Sequence, residues 1–174
     1  MNIRNFAIVL SVLIGFNCSE KKLASLSEEE KSDIESMVQK EIDTLIMSVN
    51  TKDIDLYMRK MPDDFMIYDE NGEIVTREKQ REFALRDWSI IDTTINNLMT
   101  IDSIQYISKD SIFVYTYQKW ERLMFQKDGV TIDTVITTQK HRELWKKKGK
   151  AWMGYDVKEL GGEIFINGQK YVSN

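Results

Sequence analysis

The chain is poor in the residues that form covalent and metal cross-links. One Cys and one His among 174 residues exclude an intramolecular disulfide and a Cys/His zinc site. One Pro and eight Gly are too few for a low-complexity or disordered chain. The net charge of −4 lacks the basic excess of a nucleic-acid binder, so no nucleic-acid partner is expected. No calcium loop, phosphate loop or nucleophile elbow is present, and we predict no cofactor and no metal site.

Long hydrophobic runs are also missing, but a short one follows Arg4. This run, from Phe6 to Phe16, would span about 16 Å as a helix, roughly half of a ~30 Å hydrocarbon core. It is too short for an ordinary membrane span and is typical of a secretory signal peptide. The only Cys, Cys18, comes directly after this segment and Asn17.

The position of Cys18 resembles the signal of bacterial lipoproteins, in which the Cys becomes the lipid-bearing first residue of the mature chain. The resemblance implies a signal peptide over residues 1–17 and a lipidated Cys with a short tether over residues 18–26. It also implies an exported protein that is anchored in a membrane of the bacterial cell envelope through its N-terminal lipid. Asn17 departs from the small residue that usually precedes the Cys. Plain secretion is the alternative.

Apolar residues at helical spacing follow the tether. Ser27 and Glu30 form a capping-box pattern ahead of an amphipathic helix of about 20 residues. A second, short helix closes at Pro62, because proline cannot continue a helix. Asn71-Gly72 then predicts a hairpin, and Thr76 can cap a third helix.

From Thr93 onward the chain is rich in β-branched and aromatic residues, which predicts four long strands. Turn signals at Asp128-Gly129 and Lys148-Gly149 separate them, and Gly161-Gly162 is predicted to end the sheet after Leu160. Helices followed by an antiparallel meander indicate an α+β fold with N-terminal helices packed on one face of the sheet. We expect one domain over residues 27–160 and a C-terminal extension over residues 161–174, which can form a small hairpin.

This order of elements resembles the nuclear transport factor 2-like superfamily, also called the cystatin-like cone, which includes ketosteroid isomerase-like and SnoaL-like proteins. The resemblance rests on residues 51–57 and 62–68, on Asn71-Gly72 and on the closing residues 144–152. It implies a curved antiparallel sheet around an open cone whose mouth can hold a small ligand. Some members are enzymes and others dimerise or bind partners without chemistry, so the fold does not decide the function.

Register through the predicted turns places Thr116 opposite His141, and His141 opposite Asp156. A carboxylate beside an imidazole can support acid–base chemistry, whereas on a solvated face the same two groups form only an ion pair. Trp120 falls on the same predicted face as His141. Such a large aromatic side chain can line a ligand mouth or pack in the core.

Tyr68 with Asp64 and Asp69 is a second candidate cluster. Ketosteroid isomerase-like chemistry needs a Tyr donor and an Asp base in an apolar cavity, although Asp69 is equally consistent with a hairpin turn. We hypothesise a lipid-anchored, non-catalytic domain that binds a small apolar ligand or a protein partner. The alternatives are an acid–base enzyme of isomerase, dehydratase or cyclase type and a homodimer formed through the sheet. The candidate ligand-binding residues are Tyr68, Trp120, His141 and Asp156.

Overall fold

Three helices and seven strands make up residues 26–69 and 71–172, which a computed structural model describes. The predicted signal peptide, Cys18 and most of the tether lie outside the described residues. No helix in the described part of the chain is long and apolar enough to cross a membrane. The elements are α1 (Glu28–Asn50), α2 (Ile54–Arg59), β1 (Met66–Tyr68), β2 (Ile74–Thr76), α3 (Arg77–Ile90), β3 (Ile91–Ser108), β4 (Ser111–Phe125), β5 (Ile132–Lys148), β6 (Ala151–Ile166) and β7 (Gln169–Lys170).

Helix α1 begins at the predicted capping box. The hydroxyl of Ser27 accepts a hydrogen bond from the Glu30 N–H at 3.1 Å, and the Glu30 carboxylate accepts one from the Ser27 N–H at 2.7 Å. Ile34, Val38 and Ile42 form the buried stripe of the helix. This stripe packs against strand residues in the first of two core clusters, and it therefore holds α1 across the sheet.

Helices α2 and α3 cover a second core cluster. Thr76 caps α3 as predicted, because its hydroxyl accepts a hydrogen bond from the Lys79 N–H at 3.3 Å. The Arg77 guanidinium donates to the backbone carbonyls of Met58 and Met61, at 3.0 and 3.1 Å. These bonds tie the start of α3 to α2 and to the segment that follows it.

The sheet has the strand order β2-β1-β6-β5-β4-β3, with β7 paired to β6. Strands β3 to β6 form the predicted antiparallel meander, and the Asn71-Gly72 turn joins the antiparallel pair β1 and β2. The sheet is mixed, however, because β1 runs parallel to β6. The α+β fold with N-terminal helices packed on a curved sheet is confirmed.

Strands β4 and β5 pair in the predicted register. Thr116 lies opposite His141, and Ile112 lies opposite Trp145. The pairing has no register shift from Ser111 to Phe125, so the side-chain alternation stays in phase along the whole of β4.

The predicted pairing of His141 with Asp156 is wrong. His141 lies opposite Glu159, and Asp156 lies opposite Leu144. The turn falls one residue later than predicted, since Lys148 pairs with Ala151, and a register shift between Gly154 and Asp156 inserts one further residue in β6. An odd offset moves a strand residue to the opposite face, so Asp156 points away from His141.

The prediction that Gly161-Gly162 ends the sheet is also wrong. Strand β6 continues to Ile166, and a second register shift lets it pass this point by a bulge. Gly161 has φ +113°, a conformation that suits glycine. Gly162 lies so close to β5 that a Cβ there would be 2.1 Å from the Thr138 carbonyl oxygen. The predicted small hairpin follows, with β7 paired to the end of β6.

Candidate functional site

A cavity of about 350 Å³ lies between the helices and the sheet, at the boundary of the two core clusters. The interior of the cone is therefore not filled by side chains. Its volume is within the range of small-molecule sites. Apolar side chains from all three helices and from β1, β3, β4, β5 and β6 contribute to the wall. The aromatic members are Tyr57, Phe65, Phe83, Trp88, Trp120, Trp145 and Trp152.

Strand β5 contributes the most buried polar side chains of the cavity. His141 and Glu143 are 8 % and 5 % exposed, and both line it. They share one face of the strand with Trp145 because strand side chains alternate with period two. The β4–β5 register places Thr116, which is 1 % exposed, opposite His141 and on the same face of the sheet.

The Glu143 carboxylate is held by two neutral donors. The Thr116 hydroxyl donates to Oε1 at 2.8 Å, and the Trp145 indole Nε1–H donates to Oε2 at 2.8 Å. Burial raises the pKa of Glu143, while these two hydrogen bonds lower it by a smaller amount. The result is a positioned acid whose charge is poorly solvated.

His141 is neutral at physiological pH. Burial lowers its pKa to about 4, because the imidazolium ion would lose its hydration in this environment. Its Nδ1 atom is buried and has no hydrogen-bond partner within the described part of the chain. A neutral imidazole offers one acceptor and one donor nitrogen, so His141 can accept a hydrogen bond from a bound molecule or donate one to it.

Other polar contacts surround this pair. At one side, Lys60 Nζ lies 2.5 Å from Glu41 Oε2 in a half-buried ion pair. Another contact is a 2.7 Å hydrogen bond from the Gln80 amide to the Tyr57 hydroxyl. The Tyr57 ring meets Trp88 edge to face, with centroids 5.4 Å apart. These contacts fix the orientation of the wall that α1, α2 and α3 provide.

Trp120 and Arg122 form a stacked pair on β4. The Arg122 guanidinium carbon lies 4.1 Å from the Trp120 ring centroid, and its Nη1 donates to the Trp120 carbonyl at 3.3 Å. Burial lowers the pKa of Arg122 to about 10, and the charge of Asp87 on α3 acts in the opposite direction. The Trp120 Nε1 atom is buried without a hydrogen-bond partner among the described residues.

The four candidate residues are divided between two sites. Trp120 and His141 line the cone cavity. Tyr68 and Asp156 instead line a separate groove, together with Phe113 and Leu144 on the opposite face of the sheet. The predicted pairing of His141 with Asp156 in one site is thus excluded by the fold.

Tyr68 and Asp64 do not form an isomerase-type pair in the cavity. The Tyr68 hydroxyl contacts Met66 Sδ at 3.9 Å, and Asp64 is exposed in a turn. Asp69 accepts hydrogen bonds from the backbone N–H groups of Asn71 and Glu73, at 2.9 and 2.7 Å. The hairpin-turn alternative for Asp69 is therefore the observed one.

Sequence reasoning missed four acidic residues of the cavity wall: Glu41, Asp87, Glu143 and Glu159. Glu143 could have been found, because it lies two residues from both His141 and Trp145 and shares their face. Asp87 carries no such signal, since its position depends on how α3 packs over the sheet. Among the described residues, no group of three or more His, Cys, Asp or Glu side chains could hold a metal ion.

Comparison with protein-family models and with curated proteins gives no match. Solved structures do match. A hexachlorocyclohexane dehydrochlorinase (LinA type 2) has a TM-score of 0.64 at 10 % identity, covering 85 % of this chain and 95 % of its own. A proposed scytalone dehydratase from Novosphingobium aromaticivorans has a TM-score of 0.68 at 7 % identity, covering 85 % and 94 %.

A ketosteroid isomerase-like protein from Erwinia carotovora has a TM-score of 0.56 at 13 % identity, covering 78 % of this chain and 99 % of its own. The chain has the nuclear transport factor 2-like, or cystatin-like, cone fold. Enzymes are named among the proteins that share this cone. At such low identity the likeness establishes the fold, and the activity must be argued from the cavity.

Proposed function

We propose that the cone cavity binds a small, largely apolar molecule. The observation that carries the proposal is the cavity of about 350 Å³ in the middle of an otherwise packed core, with seven aromatic side chains in its wall. Apolar surface on a bound molecule would be removed from water against these side chains, and this burial favours binding. The few polar groups of the wall, chiefly His141 and Glu143, would fix its orientation.

Titration calorimetry with 2-(naphthalen-1-yl)ethanol, a neutral and mainly apolar probe, tests the proposal. We expect the native chain to bind it and the variant Val157→Phe to lose affinity, because Val157 lines the cavity and the larger ring would occupy it. The matched control is Leu160→Phe, on the same strand, where the side chain is exposed. Equal binding by both variants, or no binding by the native chain, would contradict the proposal.

A second candidate function is acid–base catalysis on a molecule bound in the same cavity. It is favoured by the buried imidazole of His141, which lines the cavity and whose low pKa keeps it unprotonated at pH 7, the form that a general base requires. His141 would remove a proton from a carbon atom beside a carbonyl group, and Glu143 would contribute to the electrostatics of the site. The naming of a dehydrochlorinase and an isomerase-like protein among the structural neighbours supports this class of reaction.

Deuterium exchange tests this second function without knowledge of the natural substrate. Incubation with 1-(naphthalen-1-yl)propan-2-one in D₂O should give exchange beside the carbonyl faster than in buffer. The variant His141→Gln should lose the acceleration while it still binds the ketone. Exchange at the buffer rate in the native chain would exclude His141 as a base for this class of molecule.

We propose from the sequence that Cys18 carries a lipid and anchors the chain in the bacterial cell envelope. The support is the short apolar run that ends just before this residue. Expressed in a bacterium, the full chain should partition with membranes and incorporate labelled palmitate. Cys18→Ser should lose the label and leave the membrane fraction, and retention of this variant in membranes would contradict the proposal.

A further inference from the structure

The charges in the cavity wall are mainly negative. Among the described lining residues, the carboxylates are Glu41, Asp87, Glu143 and Glu159, and Lys60 is the one lysine or arginine. Lys60 is already paired with Glu41 at 2.5 Å. Asp87 forms an ion pair with Arg86 at 2.8 Å and also lies in the field of the buried Arg122 guanidinium. The lining side chains thus comprise four acids and one base, and of the acids Glu143 is the most deeply buried.

Glu143 differs from Glu41 and Asp87 in its partners. Both of its oxygens accept hydrogen bonds, but the donors are the neutral Thr116 hydroxyl and Trp145 indole, each at 2.8 Å. The side chain is 5 % exposed, so water provides little hydration. A buried carboxylate without a counter-charge is costly, and a bound cation would remove that cost.

A second hydrogen-bond acceptor lies two residues away. His141 and Glu143 are separated by about 7 Å along one face of β5, which allows one small group to lie between their side chains. The neutral imidazole has one acceptor nitrogen, and Nδ1 has no partner within the described residues. The indoles of Trp145 and Trp152 line the same cavity, and aromatic faces attract cations.

We propose that the molecule bound in this cavity is a small apolar amine, held as its ammonium ion between Glu143 and His141. This inference rests on the proposed ligand-binding function and specifies the class of ligand. The ammonium group supplies three N–H donors, which the Glu143 carboxylate and the His141 acceptor nitrogen can share. The apolar body of the amine lies against the tryptophan side chains, and the Glu143 carboxylate, whose hydrogen-bond donors are neutral, disfavours anionic molecules.

The test compares two probes of nearly equal shape on the full chain at pH 7. These are 2-(naphthalen-1-yl)ethylamine, which is charged, and 2-(naphthalen-1-yl)ethanol, which is neutral. We expect calorimetry to show at least about tenfold tighter binding of the amine, as is usual for a charge-assisted contact in a buried site. Glu143→Gln should remove this preference and keep binding of the alcohol. Glu163→Gln, a surface acid bound to Lys170 at 2.5 Å, should keep the preference.

The outcomes separate the two proposals. Equal affinity of the native chain for amine and alcohol would overturn the amine inference and leave the ligand-binding function standing. Binding of neither probe would overturn both. The comparison of the two probes on the native chain does not depend on whether any variant folds. His141→Gln gives a second check, because this variant should lose more affinity for the amine than for the alcohol.

Discussion

At the residue scale, the polarity of the cone depends on how Glu143 is held. Thr116→Val keeps the side-chain shape but removes the hydroxyl that donates to the carboxylate at 2.8 Å. We expect the free energy of unfolding at pH 7 to fall by about 1–3 kcal/mol, the usual cost of leaving a buried polar group unsatisfied. Urea denaturation measures it. Thr100→Val, where the hydroxyl is exposed and its contact is 3.4 Å, should change it by less than about 0.5 kcal/mol. Similar losses in both would contradict this account of Glu143.

His141 makes stability depend on pH in a defined direction. Burial lowers its pKa from 6.5 to about 4, so the unfolded chain takes up the proton first as pH falls. The stability that depends on the neutral imidazole is complete above pH 6.5 and is lost progressively toward pH 4. The full loss is about 3 kcal/mol.

Urea midpoints between pH 7 and pH 4 check this dependence. His141→Gln should show a smaller decrease over this range than the native chain. Glu143 acts in the opposite direction: its raised pKa means that its contribution is lost as pH rises. Because Glu143 is present in both proteins, the difference between them isolates His141. Parallel pH profiles would show that the imidazole does not titrate as proposed.

At the scale of the element, β6 depends on the absence of a side chain at Gly162. A Cβ there would lie 2.1 Å from the Thr138 carbonyl oxygen, a backbone atom that cannot move alone. Gly162→Ala should therefore lower the free energy of unfolding by at least about 2–3 kcal/mol or prevent folding.

The matched control is Gly154→Ala, in which the new methyl group would be 3.6 Å from Trp145 Cε2, an ordinary contact. Thermal unfolding should show a loss within about 1 kcal/mol. A mild effect at Gly162 would contradict the close pairing of β5 and β6.

The elements also show which parts of the fold could be predicted from the sequence. The caps at Ser27 and Thr76 are local, because each depends on residues three positions apart. The β4–β5 register was predictable because no bulge interrupts it. The β5–β6 register was not, since one shift of the turn and two bulges add up along the strand. Gly154, an isolated glycine in a strand, is the one sequence signal beside the first bulge, but such a glycine also allows close packing, as it does here against Trp145. The Gly161-Gly162 pair is equally typical of a strand end.

At the scale of the whole molecule, a cavity in the core couples ligand binding to stability. A molecule that binds only the folded chain should raise the free energy of unfolding by about 2.7 kcal/mol at a concentration of 100 times its Kd. We expect this increase for 2-(naphthalen-1-yl)ethanol with the native chain and not with Val157→Phe. Thermal unfolding with and without the probe measures it, and an equal increase in the variant would show that the probe binds elsewhere.

The site was less predictable than the fold for a related reason. His141 and Trp120 were found from strand periodicity, but the cavity itself arises from the spacing between helices and sheet. The partner of His141 across the strands depends on the later turn and on the first β6 bulge, which together replace Asp156 with Glu159. Asp87 lines the cavity only because α3 packs over the sheet. The cavity and the identity of its acidic lining residues therefore depend on long-range packing, which local sequence patterns do not reveal.

The first bulge of β6 allows this strand to lose one residue without exchanging its two faces, which a regular strand cannot do. Trp152 and Gly154 line the cavity before the first bulge, and Val157 and Glu159 line it after the bulge, so the inward positions change from even to odd numbers. The extra residue of the bulge, Tyr155, thus shifts the side-chain alternation by one position, and the part of the strand before the second bulge is in register with this shift. Deleting Tyr155 would straighten the strand without exchanging its faces, whereas deleting a residue from a regular part of β6 would move the inward side chains of the following segment to the outer face. A deletion of this one residue can therefore occur while the chemistry of the cavity wall is preserved.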